Sequence, residues 1–264
     1  MHKTTALITG ASGGIGYEFA KLLAKDCGTL VLVARSENKL DEIKKELEAI
    51  APVRIVVIPG DLSLADAAER LYEELEKAQI TVDILINNAG FAGHGAFVDR
   101  EWQNESKMIA VNITALTHLT KHFAKGMVAR KSGRIMNVAS TAAFLPGPYM
   151  AVYYASKAYV LSFSEALANE LQGTGVTVTA LCPGPTATDF ASTADAERSR
   201  LFKLTRPASA ADVARYGYEA MMKGKVVAVH GMLNRLMTLS LRTAPRKLLP
   251  AIVRWLHQPA APAP

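Results

Sequence analysis

Seven short apolar runs recur along the chain, at 4–9, 29–34, 53–58, 82–86, 133–139, 175–181 and 225–229. Glycine, proline or small polar residues close most of them. Between them lie stretches in which apolar positions fall three and four apart. The helix after Gly16 carries Phe19, Leu22 and Leu23 on one side; that over 63–79 turns Leu71 and Leu75 inward and Glu73, Glu74 and Glu76 outward. Further helices are expected over 102–128, after Tyr153, and over 208–223. Runs without alternation suit strands buried on both faces. Strand and helix taking turns along the whole chain predict an α/β fold, a doubly wound parallel sheet of about seven strands with helices on both faces. Residues 1–230 read as a single domain with no internal boundary or repeat. Beyond them, Leu233, Leu236, Met237 and Leu241, then Leu248, Leu249, Ile252, Val253 and Leu256, predict a helical C-terminal extension of that domain over 231–258. Residues 259–264 are expected to be disordered.

The strand ends hold the candidate chemistry, because ligands in open α/β sheets bind at the carboxyl ends of the strands. The first strand runs into Gly10-Ala-Ser12-Gly-Gly14-Ile15-Gly16 and then a helix. Strand, glycine turn and helix form a Rossmann-type dinucleotide site: glycine lets the backbone approach a pyrophosphate, and the helix N-terminus adds partial positive charge. The second strand ends at Ala34-Arg35-Ser36 without the acid that would bond a ribose 2′-hydroxyl. Arg35, with Ser36 and Ser12, suits a 2′-phosphate instead, so NADP(H) is preferred over NAD(H). The third strand leads to Asp61-Leu62, where Asp61 either accepts from an adenine amino group or holds a turn. The fourth leads to Asn87-Asn88-Ala89-Gly90, small residues that permit close approach or a side-chain-tied turn. The sixth ends at Pro183-Gly184-Pro185-Thr186-Ala187-Thr188.

The fifth strand ends at Ser140, and Tyr153 and Lys157 follow four apart on a helix. That spacing puts both side chains on one face. A phenol titrates near pH ~10. A neighbouring ammonium lowers that value and makes the phenol a general acid–base group. Asn112, inside the 102–128 helix, must be hydrogen-bonded if buried, and can hold a kink or a proton-relaying water. Ala142, Phe144, Leu145, Tyr149, Met150 and His94 line the expected substrate pocket, with 189–207 as a covering segment. The lining is mainly apolar, which points to a hydrophobic ketone, aldehyde or secondary alcohol.

Composition changes the picture only at the tail. Half of the 264 residues are hydrophobic and a fifth charged, an ordinary globular balance. Cys27 and Cys182 lie far apart, with no metal-ligand spacing, so no metal is expected and a reducing, cytoplasmic location is. No secretory signal or bilayer-spanning run is read. The net charge of +6 is uneven: the last acidic residue is Glu219, and seven basic residues follow it. A neutral body argues against nucleic-acid binding. The tail's apolar stripes suit helices packed on the body or on a second subunit. Its basic, amphipathic character also suits peripheral contact with anionic membrane.

Taken together, Thr9-Gly10-x3-Gly14-x-Gly16, Asn87-Asn88-Ala89-Gly90, the series Asn112, Ser140, Tyr153, Lys157, and Pro183-Gly184 with Thr188 resemble the short-chain dehydrogenase/reductase family across residues 4–230. The resemblance implies that Tyr153 exchanges a proton with the carbonyl or alcohol oxygen, Ser140 hydrogen-bonds it, Lys157 lowers the Tyr153 pKa and binds the nicotinamide ribose, Asn112 holds a water, and Thr188 meets the carboxamide. It also implies a homodimer or homotetramer, with helices around 101–128 and 150–172 at the interface. An NADPH-dependent carbonyl reductase or alcohol dehydrogenase is the leading reading. A reductase of carrier-bound 3-oxoacyl groups and a non-catalytic NADP-binding regulator are the alternatives.

Overall fold

A computed structural model describes residues 4–188, 200, 206–241 and 243–258. The covering segment expected over 189–207 lies almost wholly outside the described residues, as does the expected disordered end. Each of the seven apolar runs contains a strand: β1 (Thr5–Thr9), β2 (Thr29–Ala34), β3 (Arg54–Pro59), β4 (Ile84–Asn87), β5 (Gly133–Val138), β6 (Val176–Cys182) and, after two short strands described below, β9 (Val227–Val229). They form one parallel sheet in the order β3-β2-β1-β4-β5-β6-β9. The order reverses direction between β1 and β4, which opens a crevice at their carboxyl ends.

Side-chain alternation divides the core between two faces. Ile8, Leu30, Leu32 and Ile86 pack with Phe19 and Leu23 of α1 (Gly14–Leu23), Leu40 and Leu47 of α2 (Glu37–Ile50), and Val213 and Met221 of α7 (Ala210–Met222). Leu7, Val31, Leu85, Ile135 and Val178 pack on the other face with Leu71 and Leu75 of α3 (Ala67–Lys77) and with Leu119, Phe123 and Met127 of α5 (Leu116–Ala129). Burying each such Leu, Ile or Phe contributes about 1.5–3 kcal/mol.

The helix expected over 102–128 is two, α4 (Trp102–Ile109) and α5, joined by a π-helical stretch over Ala110–Ala115. Helix-forming composition hides this interruption, since a wide turn is held by bonds from elsewhere in the fold rather than by local propensity. The other unanticipated feature is a two-residue parallel pairing of β7 (Thr186–Ala187) with β8 (Ala208–Ser209), which ties together the ends of the intervening segment. α6 (Ala151–Glu170) runs from the carboxyl end of β5 back along the sheet.

The tail forms α8 (Met232–Ser240) and α9 (Leu249–His257). α9 buries Leu249, Val253 and His257, four residues apart on one stripe. Val253 packs among Ala92, Met108, Ala142, Met150, Tyr153 and Tyr154. The opposite face is bare: Met232, Leu233, Leu236 and Leu239 of α8, and Leu248, Ile252 and Trp255 at α9, are each at least half exposed.

Candidate active site

At the end of β1 the chain turns through Gly10 (φ +66°) and Gly14 (φ +54°) into α1. A Cβ on Gly10 would lie 2.9 Å from the Ala89 Cα, and one on Gly16 would lie 2.2 Å from the Gly10 carbonyl oxygen. The Asn88 side chain closes this turn, donating to the carbonyls of Thr9 (3.0 Å) and Gly10 (3.1 Å). The backbone amides of Asn88 and Ala89 donate to the Thr9 hydroxyl, both at 3.0 Å. The Asn88 side-chain nitrogen is thus engaged by the turn itself. Ser12 and Ile15 are part-exposed on the same turn. A side-chain-free cradle leading into a helix N-terminus fits a pyrophosphate.

Arg35 and Ser36 are exposed at the end of β2. Asp61 lies at the neighbouring strand end, and its Oδ1 accepts from the Ser63 backbone amide at 2.9 Å. That bond, with a smaller contribution from Arg35, holds its carboxyl below the ordinary range. Asp61 is therefore a turn residue that also faces Arg35, with Leu62 buried behind it. After β6, the Thr186 hydroxyl donates to the Gly184 carbonyl (2.9 Å). A Cβ on Gly14 would meet the Thr188 methyl at 2.9 Å, so the Pro183–Thr188 turn faces the glycine cradle. Asn234 of α8 lies against Gly184.

Between these turns sit Ser140, Tyr153, Lys157 and Asn112. Ser140 Oγ accepts from the Ala142 amide (3.1 Å) and hydrogen-bonds the Tyr153 side chain. Lys157 Nζ donates to the Val138 carbonyl at 2.7 Å and lies 5.9 Å from the Tyr153 ring centroid. Asn112, in the π-helical stretch, accepts from the Phe91 amide (3.1 Å) and donates to the Phe91 carbonyl (3.0 Å) and to Ser156 Oγ (3.0 Å). Ser156 in turn donates to the Tyr153 carbonyl at 2.7 Å. A Cβ on Gly90 would stand 3.0 Å from Asn112 Oδ1 and 3.4 Å from Lys157 Nζ, so Gly90 keeps the space between them open.

Burial governs the electrostatics. It pushes Tyr153 up to about 12, opposed by the Ser140 hydrogen bond, and pushes Lys157 down to about 8. The expected lowering of Tyr153 by Lys157 is outweighed here, because desolvation disfavours both charged forms and the ammonium is turned toward Val138.

Ala142 and Met150 pack beside Tyr153, with Leu145 against the same group. Phe144, half-buried, packs against the neighbouring cluster of Leu116, Ala139, Val160 and Leu161. Tyr149 adopts φ +68°, an uncommon conformation for a bulky residue. Its ring faces His94 (5.8 Å between centroids) and the Arg254 guanidinium (5.4 Å). His94 Nε2 donates to the His257 carbonyl at 2.9 Å, which satisfies a free carbonyl at the end of α9. His257 Nε2 meets the Tyr154 hydroxyl at 2.7 Å. Burial, helped by nearby His94, pulls His257 down to about 4 and keeps it neutral. Val253, His257 and Ser156 are the site neighbours that sequence reasoning missed. Helical spacing in the tail signalled docking but not its location.

A family model described as short chain dehydrogenase matches residues 4–199. Ketoacyl reductase HetN of Nostoc sp. is 35% identical over 68% of this chain and 62% of that protein, so the matched stretch spans about three fifths of that relative. A short-chain dehydrogenase from Sphingobium yanoikuyae, solved with NADPH, superposes with a TM-score of 0.82 at 30% identity, covering 91% of this chain and 93% of that one. One from Burkholderia phymatum, solved with NAD, gives 0.79 at 25%, covering 99% and 98%. With the glycine turn, the strand order and a matching family model over most of its length, the chain belongs to the short-chain dehydrogenase family.

Proposed function

We propose that this oxidoreductase is an NADP(H)-dependent enzyme acting between a hydrophobic ketone or aldehyde and the corresponding secondary alcohol, with Tyr153 as general acid and base. The observation that carries the reading is the gathering of Ser140, Tyr153, Lys157 and Asn112 beside a glycine cradle, with Ser140 hydrogen-bonded to Tyr153. Gly10, Gly14 and Gly16 would hold the pyrophosphate, Arg35 and Ser36 the 2′-phosphate, and Thr186 and Thr188 the nicotinamide side. The bound nicotinamide supplies or accepts the hydride. Ser140 and Tyr153 present two hydroxyls to one substrate oxygen, and Tyr153 gives it a proton or takes one. Lys157 holds the ribose and recharges Tyr153, with Asn112 holding a water behind it.

Arg35 carries the cofactor preference. A charge-assisted hydrogen bond to phosphate is worth about 1.5–3 kcal/mol, so Arg35→Ala should weaken NADPH binding roughly 10–100-fold and leave NADH little changed. Fluorescence titration of both nucleotides checks this. Equal affinity of the unaltered protein for the two would remove Arg35 from the reading.

The apolar neighbours Ala142, Met150, Tyr154 and Val253 favour a bulky apolar substrate. The outer faces of α8 and α9 extend this to a partner. Seven large apolar side chains stand exposed there, with Arg235, Arg246, Lys247 and Arg254 on the same segment and no acid after position 219. Two copies would bring like charge to like charge, whereas an anionic bilayer complements both features. No described helix is long and apolar enough to cross a membrane. The protein should therefore sediment with phosphatidylserine vesicles and not with phosphatidylcholine vesicles, and Leu236→Glu with Trp255→Glu should release it. Equal sedimentation of the double variant would exclude this face. A cytoplasmic location fits two buried free cysteines, and a homodimer or homotetramer through α4–α5 and α6 remains part of the proposal.

The ketoacyl reductase relative favours a second reading, reduction of a carrier-bound 3-oxoacyl thioester, whose acidic carrier would meet the same basic tail. Comparing rates on a carrier-linked thioester and on the free ketone separates the two.

A further inference from the structure

Away from Tyr153, α3 and α5 bring three donor side chains together. His118 and His122 are one helical turn apart on α5, and Glu69 faces them from α3. The two Nε2 atoms are 2.8 Å apart. Glu69 Oε2 lies 2.9 Å from His122 Nε2 and 3.3 Å from His118 Nε2. The backbones beneath are fixed, because Leu71 and Leu75 of α3 and Leu119 and Phe123 of α5 share one core. Tyr72 stacks flat on His122, at 4.5 Å between centroids and 17° between planes, and sets the ring's orientation.

Hydrogen bonding accounts poorly for this triangle. A ring nitrogen carries either one in-plane proton or one lone pair. His122 Nε2 thus cannot direct one bond at both His118 and Glu69, yet both lie within 3 Å of it. Three ligand atoms close enough to share one ion account for the spacing better. Two imidazoles and a carboxylate are the ligand set of open zinc sites, with bonds of about 2.0–2.2 Å and a fourth position left to water. The side chains are 37%, 20% and 45% exposed for His118, His122 and Glu69, so an ion could enter and keep that water.

We propose that Glu69, His118 and His122 form a divalent-metal site, with Zn²⁺ as its occupant, that clamps α3 to α5. Two imidazole nitrogens to one carboxylate favour Zn²⁺ over Mg²⁺ or Ca²⁺, which take oxygen ligands. The site is separate from the hydride chemistry, and its role is to fix α5, whose upstream continuation is the π-helical stretch holding Asn112.

The test is calorimetric titration of ZnCl₂ into untagged, metal-stripped, full-length protein, beside His122→Ala and Glu69→Ala. All three positions are part-exposed, and circular dichroism confirms that the variants fold. The expected result is one equivalent of Zn²⁺, an upward shift of the thermal midpoint on binding, and at least a roughly tenfold loss of affinity in each variant. Zinc binding that is absent, or unchanged in both variants, overturns the proposal. Titration of MgCl₂ serves as the oxygen-seeking control and should give no saturable heat.

Discussion

Tyr153→Phe is expected to lower turnover of an apolar ketone by roughly 10²–10⁴-fold, the range of a positioned general acid. Affinity for NADPH should change little, because the ring still fills its place among Ala92, Met108, Ala142 and Val253. The split between lost turnover and retained binding distinguishes a proton donor from a packing residue. Steady-state rates with reduced cofactor, beside fluorescence titration of the same cofactor, give both numbers. Retained turnover in the variant would move the proton transfer to another group. Among the near neighbours, Tyr154 is a poor substitute: burial pushes its phenol up as well, and its hydroxyl is committed to His257.

Lys157→Met is expected to lower turnover by roughly 10²-fold or more through loss of ribose positioning and proton supply, while stabilising the cofactor-free fold. The sign follows from burial. Lys157 is pushed down to about 8 in the folded protein, against an ordinary value of 10.5. Below pH 8 it is protonated both folded and unfolded, and the fold bears the full cost of burying the charge, of order a few kcal/mol. Between pH 8 and 10.5 the unfolded chain binds more protons than the folded one, so wild-type stability rises with pH. The methionine variant lacks this term. Its thermal midpoint should exceed wild type most at pH 7, and the difference should shrink as pH rises through that window. A gap that stays constant or widens with pH would show that Lys157 is not buried with its charge.

The sheet was legible because it rests on local facts. The runs are apolar enough over most of their length to be buried in the sheet, and the glycines mark their own turn. The glycine turn was legible for the same reason: Gly10, Gly14 and Gly16 have no room for a Cβ, and their spacing after the first strand marks the turn. Tyr153 and Lys157 could be paired from helical spacing. What stayed hidden depends on long-range contacts. The π-helical turn at Asn112 is held by the Phe91 backbone, twenty-one positions away. His257 reaches Tyr154 across 103 positions, and no periodicity in the tail says which surface its apolar stripe will meet. Asn88 was ambiguous between ligand and turn, and its side-chain nitrogen makes two bonds to the glycine turn.

The tail gives the site its distinguishing feature. α9 places Val253 and His257 against the Tyr153 neighbourhood while it exposes Ile252 and Trp255 outward. One helix therefore forms a wall of the site and part of the apolar surface. A substrate drawn from a bilayer would meet the site's own wall first, which joins the proposed preference for apolar carbonyls to the proposed membrane contact of the basic, amphipathic last forty-five residues.

The central claim is hydride transfer between a nicotinamide and an apolar carbonyl at Tyr153. The most direct test is a single turnover with NADPH deuterated at the transferable position and a panel of bulky apolar ketones, followed by mass spectrometry of the alcohol. The account predicts deuterium on the carbinol carbon with wild-type protein and almost none with Tyr153→Phe. A wild-type protein that binds NADPH tightly and labels no alcohol in the panel would contradict it, and would favour a nucleotide-binding role without turnover.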